Sequence, residues 1–408
     1  MKESNSNGKN TLNADKILSL ARRIERELIE FRREVHSVAE VGFNLKRTCR
    51  LIEEALGDYD CEIRKVGRSG IVTSLGSGDG RTMLLRADMD ALPIREESGV
   101  TFASHNGNMH ACGHDIHAAM LLGAFKILFK FKDKIQGRVL FCFQPAEETL
   151  EGARDMISAG LLDGGVDLAL MLHVILGTDF PTGYTIVASE GVCAPSSDFF
   201  KITVRGKSAH GSTPHLSKNA LACAARVILS IEELPAREFS VSDDVVVSVG
   251  RIECGEAANI IPDTAVIYGT ARAYSEEVRA ALKSRIESIA KGLCAIYGLS
   301  CDMEITSSCP TLVNDKEASE RLLTFTRELL GSEMCIGSDK LGTRGGGSED
   351  FAYISQRVPS VMASISAGSR SEGYEYPIHN SYAVFDERVI STGAAVLAYS
   401  ALRYFEEN

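Results

Sequence analysis

The sequence lacks three features that would assign it to common functional classes. Its 44 lysines and arginines are outnumbered by 55 aspartates and glutamates, so no basic surplus is available to bind nucleic-acid phosphates. Its eleven cysteines are an odd number without a CxxC pair, and they give no disulfide or zinc-ribbon framework. No apolar run approaches the ~18 residues that cross a membrane. We therefore expect a small-molecule partner, with no nucleic acid and no membrane.

The cysteines and the N-terminus predict the compartment. Most cysteines lie in apolar segments, such as Cys142 in VLFCF and Cys223 in ALACAARV, which is typical of buried, reduced thiols. The first residues, MKESNSNGKNTLNADK, are polar and contain no apolar stretch, so we do not expect a signal peptide. Together these features predict a cytoplasmic protein.

The length of 408 residues and the order of predicted elements indicate two domains. Helical patterns alternate with short buried-strand runs in 1–192 and 307–408, which predicts one discontinuous three-layer α/β/α domain. Between these segments, 193–306 has the order β-α-β-β-α-β. This order predicts an inserted, ferredoxin-like α+β domain, in which a four-stranded sheet carries two helices on one face.

Five candidate metal ligands lie at predicted strand ends or at the start of the helix behind one. They are Cys112, His114, Glu148, His173 and His379. Ligands of open α/β sheets bind at the carboxyl ends of the strands, so we expect these side chains to converge. Thiolate, imidazole and carboxylate donors gathered in this way suit one or two divalent transition ions.

The string ACGHD predicts a local structure for the first two ligands. Gly113 permits a tight turn between Cys112 and His114, directly before a predicted helix at about Ile116 to Phe131. The N-terminus of that helix is expected to favour a thiolate. His114 and the residue three positions later, His117, are expected to share a helix face.

Carboxylates beside these ligands are the second signal. Consecutive side chains at a strand end, here Glu147 and Glu148, point in different directions, so one can bind metal while the other faces the substrate. A free carboxylate beside a metal-activated water is the usual arrangement for a general base. Asp88, after the strand TMLLRA, is either a turn cap or a site residue. Asp115 could orient one of the ligands.

Nine motifs in order carry a resemblance to a known family. They are LRADMDALPI, MHACGHDIH, QPAEE, LHV, GKSAHGSTPH, ANIIPD, GTARAY, GSEDF and PIHN. In these motifs the chain resembles the aminoacylase/carboxypeptidase family of two-metal hydrolases (peptidase family M20). The ACGHD string resembles the amidohydrolase branch, which includes hippurate hydrolases and IAA-amino acid hydrolases. The likeness covers nearly the whole chain, and it implies a catalytic domain of the zinc-peptidase type with an inserted lid and dimerisation domain.

The resemblance also implies a role for each matching residue. The dinuclear metal set would be Cys112, His114, Glu148, His173 and His379, with Cys112 as the bridging ligand. Glu147 would be the general base and acid, and Asp90 a supporting catalytic carboxylate. His210 would steady the tetrahedral intermediate, reaching across a dimer interface. Substrate-binding candidates are Asn259, Arg272 and His215, of which Arg272 offers a bidentate fork for a carboxylate.

Two segments depart from the family pattern. HSVAEVGF lacks the proline that usually precedes its glutamate, which affects packing more than chemistry. GKSAHGSTPH has Ser208 and Ala209 where a pair of glycines is common in this branch. The pocket wall beside His210 is therefore expected to differ, and the choice of substrate stays open.

The resulting prediction is a metal-dependent amidohydrolase that cleaves an N-acyl amino acid or a similar small amide. Its expected cofactors are two divalent metal ions. These ions would be Mn²⁺ or Zn²⁺, and Co²⁺ or Ni²⁺ would also be compatible with the donor set. The protein is expected to be a homodimer or a higher homo-oligomer, with a substrate that has a free carboxylate.

Three alternatives remain open on the residues alone. The same scaffold could serve a dipeptidase, an aminopeptidase or a deaminase. Cys112 paired with His114 could be a nucleophile, although a Cys-x-His followed by distant His and Glu suits coordination better. A non-catalytic binding protein is the last alternative, and the presence of both Glu147 and Glu148 speaks against it.

Overall fold

The computed structural model describes residues 13–187, 190–337 and 346–407 of the chain. The described residues separate into two compact units. The first unit is drawn from within Met1–Gly191, Asn314–Thr343 and Arg357–Asn408, and the second from within Val192–Val313 and Arg344–Gln356. Among these described residues, no helix is long and apolar enough to cross a membrane.

The helices of the described residues are numbered α1 to α10 in chain order. Their bounds are Ala14–Val38, Lys46–Gly57, His114–Phe129, Gly152–Ser158, Ala220–Glu232, Leu234–Arg237, Glu276–Ile296, Lys316–Leu330, Ala352–Ser355 and Val389–Glu407.

The strands are numbered β1 to β16 in the same way. Their bounds are Ile63–Val66, Gly70–Gly76, Arg81–Asp88, Gly137–Gln144, Leu168–Ile175, Thr185–Val187, Gly191–Ala194, Ser197–Arg205, Ala209–His210, Val246–Cys254, Ile260–Ile261, Thr264–Arg272, Ser300–Cys309, Leu312–Asn314, Cys335–Gly337 and Ser360–Ser366.

The first unit is built on an eight-stranded mixed sheet in the order β1-β2-β4-β3-β5-β16-β6-β15. Its four central strands, β4, β3, β5 and β16, are all parallel. They are short runs of buried apolar residues, as expected of strands covered on both faces. Their carboxyl ends therefore meet at one edge of the sheet, where the segments that follow β3 and β4 begin.

The sheet forks at this edge. β3 stays in register with β4 as far as the pair Asp88 and Gln144. Against β5, the register of β3 ends earlier, at the pair Arg86 and Met171. β5 meanwhile continues beside β16 to Ile175. The last part of β5 therefore has no strand partner on the side of β3, and other groups must satisfy its backbone there.

Helices cover both faces of this sheet. Phe141 of β4 belongs to the core beneath α3, where its ring centroid lies 5.2 Å from that of Phe125. The next residue, Cys142, points to the opposite face, and its Sγ lies 3.8 Å from the sulfur of Met156 in α4. Successive side chains of a strand face opposite sides of a sheet. The predicted three-layer α/β/α architecture is thus confirmed.

The helix α3 is apolar almost all round and is buried along nearly its whole length, as the sequence predicts. It begins at His114, two residues before the predicted start at Ile116. The first apolar residue marks the periodic pattern, but the helix already includes a polar first turn. This difference matters because it places His114 at the first helical position.

Glycine permits close packing of α3 against α10. A Cβ built on Gly123 would lie 2.7 Å from the Cβ of Ala394 and 2.6 Å from a methyl of Leu28 in α1. Both distances are shorter than van der Waals contact, and Ala394 has no flexible side chain with which to move away. The absence of a side chain at position 123 is therefore a packing requirement.

The second unit has an antiparallel four-stranded sheet in the order β10-β12-β8-β13. Phe200, Ile202 and Val204 alternate along β8 and join one core with residues of α5 and α7. The element order β-α-β-β-α-β agrees with the prediction. The short helix α6 and the paired strands β9 and β11 are additional elements that the sequence did not predict.

We expect Gly123→Ala to destabilise the protein by about 1–3 kcal/mol, because the new methyl overpacks the junction of α3 and α10. The matched control is Gly292→Ala in α7, where a Cβ would meet nothing within 4 Å. That control should raise stability by about 0.5–1 kcal/mol through helix propensity. Urea unfolding checks both signs, and a neutral Gly123→Ala would contradict the close approach.

Candidate metal centre

Cys112 and His114 are held by a turn that only glycine allows. Gly113 between them has φ +83°, and a Cβ there would lie 2.5 Å from a methyl of Val174 and 3.1 Å from the ring of Phe385. Both the left-handed backbone and the lack of space exclude a side chain. The turn places the buried Sγ of Cys112 beside the first residue of α3.

The ring of His114 is oriented by a backbone acceptor. Its Nδ1–H donates to the main-chain carbonyl of Asp90 at 2.9 Å. Its Nε2 is fully buried and makes no hydrogen bond. An imidazole whose second nitrogen is fixed in this way presents the free nitrogen to a metal ion.

Asp90 also fixes the segment after β4. Its two carboxylate oxygens accept the backbone N–H groups of Glu147 and Glu148, at 3.0 and 3.3 Å. The preceding Ala146 has φ +56°, an unfavourable conformation for a residue with a Cβ. The segment therefore turns sharply, and it directs two consecutive carboxylates toward His114, whose Nε2 lies 3.9 Å from an oxygen of each.

His173 lies near the carboxyl end of β5, two residues before the last residue of the strand, as its place in the predicted strand DLALMLHV indicates. Its Nδ1–H donates to the carbonyl of Val174 at 2.7 Å. Its Nε2 is therefore free to face Cys112, whose Sγ lies 3.7 Å away. Burial lowers the pKa of His173 to about 3, so the ring is neutral and keeps a lone pair for a cation.

His379 approaches from the segment that follows β16. It has φ +62°, and its backbone N–H donates to the carbonyl of Ala111 at 2.8 Å. Its Nε2 lies 3.2 Å from the Sγ of Cys112 and 3.6 Å from Oε1 of Glu148. The side chain is 50% exposed, so this residue forms the open side of the cluster.

The donor atoms of the five predicted ligands fall into two groups that share the sulfur of Cys112. Cys112, His114 and His173 form one group, and Cys112, Glu148 and His379 form the other, each with donors within 4.8 Å of one another. Donors around a tetrahedral ion with bonds of about 2.0–2.3 Å lie roughly 3.3–3.8 Å apart. The measured separations of 3.2, 3.6 and 3.7 Å agree with this spacing.

The electrostatics of the cluster favour a positive charge. Burial opposes charge on His114, but its interactions with Asp88, Cys112 and Asp90 together outweigh burial and raise the pKa of His114 well above its ordinary value. The neighbouring thiol behaves differently from the prediction. Burial raises the pKa of Cys112 to about 12, which opposes the thiolate that the helix N-terminus was expected to favour. A thiol ligand gives up its proton when a metal binds.

Below the cluster lies an ion pair that sequence reasoning missed. Arg86 is fully buried and donates to Asp88 at 2.7 Å and to the side chain of Gln144 at 2.9 Å. A lone arginine within the apolar strand TMLLRAD was the available signal, because buried charges are almost always paired. Asp88 is thus a buried partner of Arg86 rather than a turn cap.

His117 is held away from metal binding by two contacts. Its Nε2 accepts the backbone N–H of Val174 at 2.8 Å, so the proton is on Nδ1, which donates to Asp88 at 2.5 Å. With both nitrogens engaged, His117 supports the site instead of ligating an ion. Its acceptor role satisfies β5 where β3 has diverged.

Asp115 anchors the first turn of α3 to α1 instead of contacting a ligand. Its Oδ2 lies 2.6 Å from Nε of Arg32 and 2.8 Å from Nδ1 of His36. Burial alone would raise the pKa of Asp115, but Arg32, His36 and His110 together outweigh it, so the pKa lies well below its ordinary value. The expectation that Asp115 orients a ligand directly is therefore wrong, since its contacts position the whole turn.

The remaining predicted site residues belong to the second unit. His210 in β9 is exposed, and its Nδ1 accepts the N–H of Ser212 at 3.2 Å, which leaves the proton on Nε2. Asn259 accepts the N–H of Gly211 through its backbone carbonyl. Arg272 ends β12 and donates to the hydroxyl of Ser348 at 2.9 Å. His215 is exposed in the short turn Pro214–Leu216.

Comparisons with known proteins agree with this geometry. The model of the family described as Peptidase family M20/M25/M40 matches residues 84–403. The chain is 34% identical over 400 residues to thermostable carboxypeptidase 1 of Saccharolobus solfataricus, with 96% of this chain and 98% of that protein covered. It is 32% identical to N-acetyl-L-cysteine deacetylase of Bacillus subtilis, with 94% and 90% covered.

A solved structure gives the same result for the fold. A Bacillus subtilis protein described as a dinuclear metal binding peptidase from the M20 family superposes with a TM-score of 0.78 at 28% identity. The match covers 94% of this chain and 99% of that one. The predicted resemblance and the predicted fold class are both confirmed.

We expect Asp90→Asn to lower metal affinity or activity about 10- to 100-fold. An amide keeps the shape but replaces one acceptor oxygen by an NH₂ group, which faces a backbone N–H and displaces Glu147 or Glu148. Asp155→Asn is the matched control, because Asp155 also accepts a backbone N–H, that of Arg68 at 2.7 Å. Metal titration against a chelator, together with kcat, distinguishes the two variants. Equal behaviour would contradict the role of Asp90.

Proposed function

The chain belongs to peptidase family M20/M25/M40, and from this premise we propose that it is a metal-dependent amidohydrolase that cleaves N-acyl amino acids. The observation that carries the proposal is the pair of donor groups sharing the sulfur of Cys112. The name of the relative N-acetyl-L-cysteine deacetylase supports the substrate class. The products would be a carboxylic acid and a free amino acid.

Two divalent ions would be held by Cys112 with His114 and His173 in one donor group and by Cys112 with Glu148 and His379 in the other, so that the sulfur of Cys112 would serve both. The free Nε2 of His114 supports this assignment, because a buried nitrogen without a partner is costly unless a ligand uses it. When bound, the ions would polarise the amide carbonyl and acidify a nearby water. Mn²⁺ and Zn²⁺ are the proposed metals, and Co²⁺ or Ni²⁺ also suit the donors.

Glu147 is the proposed general base and acid. It is buried, and Asp90 holds its backbone so that the carboxylate lies beside the ligands without belonging to either group around Cys112. Glu147 takes a proton from the attacking water and returns it to the amide nitrogen as the C–N bond breaks. The leaving group therefore departs as a neutral amine.

The second unit supplies the proposed lid and dimerisation domain at 193–306. His210 keeps its proton on Nε2, which suits it to donate a hydrogen bond to the oxyanion. We propose that it does so across a homodimer interface. Asn259, Arg272 and His215 are the proposed contacts of the substrate carboxylate, and we place the enzyme in the cytoplasm.

Peptide cleavage is a second candidate, because the relative with 34% identity is named a carboxypeptidase. A dipeptide is itself an N-acyl amino acid, so the same residues would serve both reactions. A cysteine amidase is disfavoured. Burial raises the pKa of Cys112 to about 12, which opposes formation of the free thiolate that a nucleophile requires.

We expect Glu147→Gln to keep both metal equivalents and to lose about 10²- to 10⁴-fold in kcat, because the amide cannot accept the proton. Elemental analysis and turnover of an N-acetyl amino acid measure the two properties separately. The control is Glu151→Gln, an exposed glutamate four residues along the chain, which should leave both unchanged. Wild-type kcat in Glu147→Gln would show that the base is wrongly assigned.

We expect Arg272→Met to raise KM for N-acyl amino acids while changing KM for their methyl esters little. The guanidinium would pair with a free carboxylate but has no charge to pair with in the ester. Steady-state kinetics on each acid and its ester measure the difference. If KM rises equally for the acid and for its methyl ester, Arg272 does not bind the substrate carboxylate.

A further inference from the structure

His36 is a buried histidine whose two ring nitrogens both face carboxylates. It lies in the last turn of α1 and is 2% exposed. Its Nδ1 lies 2.8 Å from Oδ2 of Asp115, and its Nε2 lies 3.0 Å from Oε1 of Glu96. A neutral imidazole can donate a hydrogen bond from only one nitrogen, so two ionised acceptors require the doubly protonated ring.

The electrostatics of the surroundings favour this charged form. Burial would raise the pKa of Glu96, but its hydrogen bonds and the charge of His36 together outweigh burial and lower that pKa. Burial and the guanidinium of Arg32 lower the pKa of His36, but the interactions with Asp115 and Glu96 together outweigh them, so the pKa of His36 is raised. The C-terminus of α1 also favours a cation in its last turn.

The charged and titratable groups that face His36 form a balanced set. Arg32, on the same helix, places its Nη2 3.3 Å from Nδ1 of His36, with Asp115 bound to both. The ring of His110 has its centroid 6.0 Å from that of His36, and burial lowers the pKa of His110 to about 3, so this ring is neutral. Two cations therefore meet the carboxylates of Asp115 and Glu96. Loss of the His36 charge would leave one buried carboxylate without its cation, which is costly.

The two carboxylates belong to the two chain segments that meet at the candidate ligands. Asp115 directly follows His114 in the first turn of α3. Glu96 lies in the segment that leads from the end of β3 to Cys112. His36 therefore joins the segments on both sides of the turn from Cys112 to His114, although both of its nitrogens are engaged by carboxylates that are not ligands.

We propose that His36 is a positioning residue of the metal centre, which as an imidazolium fixes the turn that presents Cys112 and His114, so that metal affinity depends on its charge. The inference rests on the proposed function, because it requires the metal centre assigned there. The pKa of His36 is raised in the folded protein. Its contribution is therefore complete below the ordinary histidine pKa and is lost as the pH rises through the raised value.

The test measures the dissociation constant for Zn²⁺ in the wild type and in His36→Gln, by competition with a chelator at a series of pH values. The ratio of the two constants cancels the protons that the ligands release on binding metal. We expect His36→Gln to weaken binding about 10-fold near the ordinary histidine pKa of about 6.5. The ratio should fall toward one at alkaline pH, where the wild-type ring is also neutral. His105→Gln is the matched control, because His105 is an exposed histidine of the same segment, and its ratio should stay near one.

Two further measurements use the metal-free protein. Glu96→Gln keeps an acceptor oxygen but removes the negative charge, so the pKa of His36, followed by NMR titration of its ring, should fall relative to the wild type. The amide of Ser104 donates to Oε2 of Glu96 at 2.7 Å. In His36→Gln this amide should exchange its hydrogen faster than in the wild type, because Glu96 has lost one of its anchors.

Each outcome addresses a separate statement. A ratio near one at every pH would overturn the role of His36 while leaving the metal centre intact, and a high ratio that does not change with pH would overturn the role of its charge. If His36→Gln does not fold, Glu96→Gln decides, since an unchanged pKa of His36 in that variant would overturn the proposal. A wild type that binds no metal would overturn the proposed function, whereas the titration and exchange measurements would still decide whether His36 holds the turn.

Discussion

The carboxylate of Asp90 is the constraint on which the rest of the site depends. The carboxylate accepts hydrogen bonds from two consecutive backbone N–H groups in the segment after β4. The backbone carbonyl of the same residue accepts a hydrogen bond from the imidazole of His114. One residue thereby sets the relative positions of the proposed base Glu147, the neighbouring Glu148 and the distant imidazole of His114. The contacts of Glu147 and His114 are buried and that of Glu148 is partly buried, so a displaced buried partner would leave an unsatisfied polar group costing about 1–3 kcal/mol.

The fork in the sheet explains why a polar cluster can exist in a domain with an apolar core. Beyond the pair Arg86 and Met171, β3 no longer forms backbone hydrogen bonds with β5, although it continues beside β4. This divergence leaves room between the two strands at the carboxyl edge of the sheet. The groups at this edge are the ion pair of Arg86 with Asp88 and, beside it, the candidate metal ligands. Burying an unpaired charge carries a large desolvation cost, whereas pairing and hydrogen bonding offset much of that cost.

The sequence predicted those parts of the structure that depend on local patterns. Buried strands such as RVLFCF and the apolar helix behind ACGHD were recognisable from composition and periodicity, and the family motifs named five candidate ligands that the structure brings together. The roles of Arg86, Asp115 and His117 were not recognisable, because each depends on a partner from a distant segment. The spacing of His114 and His117 predicts a shared face, but only the tertiary structure shows which ring nitrogen is already engaged.

The hydrogen bond from Val174 to His117 has a consequence for how freely this helix position can vary. His117 of α3 accepts the hydrogen bond from the N–H of Val174 in β5, in the place of the backbone acceptor that an adjacent strand would supply. Without that acceptor, the N–H of Val174 would be buried without a hydrogen-bond partner. The residue at position 117 is therefore constrained by the backbone hydrogen bonding of β5 as well as by the chemistry of the site. A homologue without catalytic activity would still need a hydrogen-bond acceptor at this position.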